Sequence, residues 1–284
     1  MWEAPNAQAW NNFVGSAEAV KTVSMISPES LVSDDIAYAP PFDASILLAA
    51  SALRLPRRQD PHRVIVAEED FLTLQNEVHR LANVFLTSGT ANAYLALQLT
   101  PLHTLLSVSG DSWLFNRKLP QASSFEGHKQ HLGAWCKSPA AALAASFAAR
   151  ALVDFLNLRS PRMQDARMAA DVGRGVSWND ISDYWGVYVC ALVCWAFGQG
   201  AQADERSLDT GEASRQVALD WILRASEMEP EQLSNWPQRR STRAVVCLAR
   251  DLLSRDCLGG RNILFADAVC VLKKLGNGDR LKRF

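Results

Sequence analysis

Apolar residues return at spacings of three and four along most of this chain, the period of one face of an α-helix. Phe71, Leu74, Val78, Leu81 and Phe85 form the first clear stripe. A second helical pattern runs through "SGTANAYLALQLTPLHTLLSV" from Ser88. Pro101 should end or kink it, because proline lacks an N–H and its ring clashes with the preceding turn. The strongest start signal lies in "SPAAALAASFAARALVDFLNL", where Ser138 can cap and Pro139 suits the first helical position. Val217, Trp221, Ala225 and Met228 share a further face, with Ile222 beside them. Ser241 is placed to cap "TRAVVCLARDLLSR", and Gly259-Gly260 to stop it. The last segment, "NILFADAVCVLKKLG", puts Phe265, Ala268, Val269 and Leu272 on one side. Lys273 and Lys274 suit the negative end of its dipole, and Gly276 ends it.

Polar stretches between these segments predict loops at 26–44, 56–63, 116–125, 157–180 and 199–212. "RVIVAEEDF", from Arg63, has the composition of a short strand, but no second run clearly pairs with it. No repeat of 20–50 residues appears. The expected fold is all-α, an orthogonal multi-helix bundle forming one domain over residues 1–284.

One stretch is apolar all round: "DYWGVYVCALVCWAFGQG", from Asp183 to Gly200. Its uninterrupted part, Tyr184 to Phe197, falls short of the roughly 20 apolar residues of a membrane span. It predicts the central buried helix of a core, with Trp185 and Trp195 contributing large apolar area.

The chain has 284 residues, 48% of them hydrophobic, enough for a sizeable core. Its 29 Lys and Arg against 30 Asp and Glu leave a net charge of −1, a poor balance for general binding to phosphate backbones. Basic clusters are confined to Arg57-Arg58, to Arg239, Arg240 and Arg243, and to the tail from Lys273 to Arg283. The start, "MWEAPNAQAW", lacks the basic and apolar regions of a secretory signal. Six cysteines (Cys136, Cys190, Cys194, Cys247, Cys257 and Cys270) sit mostly inside apolar periodic segments, as buried thiols of a reducing compartment do.

Candidate chemistry is sparse. Gly198 to Ala203 fits Gly-x-Gly-x-x-Ala, but no apolar helix face follows and no second strand supplies a ribose-binding acid. Cys190 and Cys194 face one way on a helix, yet two thiolates do not complete a zinc site. His128 and His131 share a face with Cys136 downstream; "EGHKQH" reads as a solvated helix face before it reads as a metal site. His103 has no assignable base or nucleophile partner, although convergence with Asp111 and the tyrosines at one cavity would make it a candidate. Asp34-Asp35 and "NDISDYWG", from Asn179, start like the magnesium motifs of class I terpene cyclases. They lack a third acid, a hydroxyl at Asp183 and a carboxylate at Val187. Asp34 and Asp180 therefore read as loop or cap residues. No catalytic, cofactor-binding or metal-binding residue is expected from these patterns.

The wording of the chain carries more than its residue types. "WEAPNAQAW", "TPLHTLLSVSGDSWLF", "SDYWGVYVCALVCWAFG" and "NILFADAVCVLKKLGNGDRLKRF" resemble, in order, the regulatory (middle homology) region of fungal-specific transcription factors. The likeness is to the branch that carries two-cysteine two-histidine zinc fingers at its N-terminus. The matching positions are Trp2 to Ala4, Pro101 to Trp113, Tyr184 to Phe197 and Asp267 to Gly276.

The resemblance implies a nuclear protein that regulates transcription through contacts with other transcription factors or co-regulators, as a homo- or heterodimer, with a small-molecule effector as a further partner. It implies no enzymatic activity, no cofactor and no membrane association. Met1 stands directly at the Trp-Glu-Ala block and no zinc finger is present, so direct DNA binding by this chain is not expected. A fragment, or a shortened product that keeps the regulatory region, is the expectation. The alternative is a secondary-metabolism enzyme or pocket-binding protein that reuses the helical scaffold, since fold does not fix function.

Overall fold

The computed structural model describes residues 31–37, 39, 41–52, 55, 68–85, 88–110, 122–158, 181–199, 212–256 and 263–276. Among them stand twelve α-helices, one 3-10 turn and no strand. The all-α expectation holds for these residues. The chain divides into two compact units, Met1–Leu55 and Pro56–Phe284.

In the first unit, α1 (Ser33–Ala37) and α2 (Pro41–Ala52) occupy part of the region read as loop. Asp34 and Asp35 fall in the first turn of α1, where carboxylates complement the positive helix end. Asp35 also accepts a hydrogen bond from the Val32 N–H at 3.2 Å. Pro41 opens α2, a position where its missing N–H costs nothing. Leu47, Leu48, Ser51 and Leu55 are buried.

The second unit begins with α3 (Glu68–Val84), so Glu68 to Phe71 of the strand-like run are helical. Three consecutive acids at the helix start outweigh the β-branched residues ahead of them. Leu74, Val78, Leu81 and Phe85 are buried along the expected face. α4 (Gly89–Gln98) is capped by Ser88, whose Oγ accepts from the Ala91 N–H at 3.1 Å. The chain breaks at Pro101 and resumes as α5 (Leu102–Ser109). α5 stops at Gly110, whose φ of 151° and ψ of 167° suit glycine alone. α6 (Ala122–Trp135) starts inside the stretch read as loop 116–125. Trp135 anchors it by donating from Nε1 to the Leu99 carbonyl at 2.9 Å.

α7 (Pro139–Phe155) begins as expected: Ser138 is extended, its Oγ accepts from the Ala141 N–H, and Pro139 follows. It ends on Asn157 with φ 54°, where the Leu158 and Asn157 N–H groups bond back to the carbonyls of Val153 and Asp154. That is a Schellman cap with asparagine in the left-handed position. Alanine fills eight of the seventeen positions of α7, so neighbouring helices approach closely; it packs on α4, α8 (Ile181–Gln199), α9 (Glu212–Glu227) and α10 (Pro230–Asn235).

α8 is the apolar stretch noted above. Val187, Cys190, Ala191, Leu192, Val193, Cys194 and Ala196 show no exposure, and Trp195 only 2%. It packs against α7, α4 and α11 (Thr242–Asp256). Two glycines make this closeness possible. A Cβ on Gly186 would collide with the Phe155 ring, and one on Gly198 with the Thr242 side chain. No helix among the described residues is long and apolar enough to cross a membrane.

Ser241 does not cap α11 from extended backbone. It closes the 3-10 turn Pro237–Ser241, and Thr242 continues in helical conformation. α12 (Ile263–Gly276) packs on α11, with Ala268, Val271, Leu272 and Leu275 buried. Gly276 is its last residue, as the sequence predicts.

Candidate functional site

The residues with chemical potential sort into core and surface. Cys190 and Cys194 lie one helical turn apart inside α8, and burial pushes both thiols up. Cys136 lies at the end of α6 and donates from Sγ to the Ala196 carbonyl of α8 at 3.0 Å. Burial raises this thiol to about 12, although Arg239 pulls the other way. Nucleophilic and metal-binding cysteines need an accessible thiolate. These three are packing elements, and Cys136 also takes up a carbonyl in the last turn of α8. Cys247 is half-buried and Cys270 exposed. Cys257 lies outside the described residues.

The histidines are grouped differently from their sequence spacing. His128 shares a helix with His131, but its ring lies 5.3 Å from that of His103 on α5, tilted by 53°. His131 is exposed. Cys136, the third member of the trio considered from sequence, is engaged with α8. Among the described residues no group of three or more His, Cys, Asp or Glu is arranged to hold a metal ion. The close approach of His103 and His128 depends on how α5 packs on α6, and no local signal announces it.

The remaining motifs take structural places. Gly198 and Gln199 are the last residues of α8, so the start of the Gly-x-Gly pattern is a helix end fitted to Thr242; Gly200 to Ala203 lie outside the described residues. Asp34 and Asp35 form a helix start. Asp183 falls in the first turn of α8, while Asp180 and Asp111 lie outside the described residues. The three described tyrosines point to separate surroundings, and Tyr38 lies outside the described residues. Tyr94 is 50% exposed, and Tyr184 donates from its hydroxyl to the Leu253 carbonyl at 3.4 Å. Tyr188 is buried edge-on against Trp185, and burial followed by the charge of Asp267 raises its phenol.

Arginine supplies the polar features that sequence reading missed. Arg150 of α7 donates from Nε to the Ser226 carbonyl at 3.1 Å, closing the C-terminal turn of α9. Arg239 lies 5.1 Å over the Phe197 ring and donates to the Ser234 carbonyl. Arg243 donates from Nε to the Gly276 carbonyl at 2.6 Å, at the end of α12. Each satisfies a carbonyl that a helix or turn leaves open. Arg240, Lys273 and Lys274 remain exposed nearby in sequence or in space. The only sequence signal was the cluster Arg239, Arg240 and Arg243 itself.

No family model, curated protein or solved structure matches this chain.

Proposed function

We propose that the chain is a transcription-regulatory domain that works in the nucleus through protein contacts. The observation that carries this reading is the ordered series of blocks resembling the regulatory region of fungal-specific transcription factors. It gains support from where those blocks fall. Tyr184 to Phe197 is the central stretch of α8, Pro101 to Gly110 holds α5, and Asp267 to Gly276 is most of α12. Trp2 to Ala4 and Asp111 to Trp113 lie outside the described residues. A regulatory role asks for a stable helical scaffold with partner-facing edges, and the fully packed α8 with arginine-closed helix ends suits that demand.

The test is a fusion of the full chain to a heterologous DNA-binding domain in a fungal cell with a matching reporter. Output is expected to differ from that of the bare DNA-binding domain, in either direction, and to return to its level for Trp195→Ala, the folding control. Equal output from all three, with substrate turnover by the purified chain that is lost on mutating His103 or Asp111, would replace this reading with an enzymatic one.

A further inference from the structure

We draw no further inference here: the strongest candidate, the side-chain cluster of His103 on α5 and His128 on α6 with ring centroids 5.3 Å apart, offers two imidazoles where a metal needs at least a third protein ligand, which no His, Cys, Asp or Glu supplies among the described residues.

Discussion

The Asp154 carboxylate, on α7, accepts a hydrogen bond from the Gly89 backbone N–H at 2.7 Å, across 65 residues of chain. Gly89 is the first residue of α4, so the carboxylate satisfies one of the N–H groups that the helix leaves open. The approach depends on glycine: a Cβ there would lie 2.5 Å from Oδ2.

This pair predicts a non-additive double-mutant cycle. Asp154→Ala should destabilise by about 1 kcal/mol, the usual worth of a helix-start carboxylate. Gly89→Ala in the parent should also destabilise, because the methyl displaces the carboxylate. In the Asp154→Ala background the same change should cost less, since the carboxyl oxygen is gone and only the residue 154 Cβ, 3.1 Å away, still crowds the added methyl. Urea denaturation of the four proteins reads the coupling; an equal cost of Gly89→Ala in both backgrounds would show that the two residues act independently.

Trp195 sits in α8 with 2% exposure. Trp195→Ala should cost about 3–5 kcal/mol, a large share of a typical total of about 5–15 kcal/mol. A melting temperature within a degree or two of the parent's would place Trp195 outside the core.

Gly198→Ala should destabilise by about 1–3 kcal/mol, because the added methyl meets the Thr242 side chain at the α8–α11 contact. Thr242→Gly should restore part of the loss if that crowding is the cause. Equal cost in both backgrounds would point to the helix end itself.

Cys136, Cys190 and Cys194 should react slowly with a disulfide reagent in the native protein and promptly in denaturant, while Cys270 should react at once. Stability should depend on pH in the alkaline range. The folded pKa of Cys136 is raised from 9.0 to about 12, and burial raises those of Cys190 and Cys194 as well. Between the unfolded and folded values the unfolded chain has released protons that the native chain keeps. Stability is therefore fully present below about pH 9 and falls as pH rises above it. Cys190→Ala should flatten that decline by about one proton. An unchanged slope in urea titrations at successive pH values would show that the thiol does not contribute.

What the chain determines by itself is local. The stripe Leu74, Val78, Leu81 and Phe85, the Ser138–Pro139 start, the break at Pro101 and the stop at Gly276 rest on interactions within a turn or two, so periodicity and capping chemistry reveal them. The burial of α8 follows from its apolar residues on every side. Where sequence reading failed, at 33–37, 41–44, 68–70 and 122–125, polar helix starts passed for loop or strand, because the acids and hydroxyls that favour a first turn also favour loops.

Only the tertiary structure decided which faces meet. It set His103 against His128, sent the Cys136 thiol to Ala196, placed Asp154 on the start of α4 and carried Arg243 to the end of α12. These pairs lie 25 to 65 residues apart. Each exists because close packing of the alanine-rich and glycine-notched faces of α7 and α8, and of the helices around them, brings a donor within reach of an open acceptor or one ring beside another. Residue spacing along the chain holds no record of that meeting, because distance between helices is set by side-chain volume at the contact and not by sequence separation.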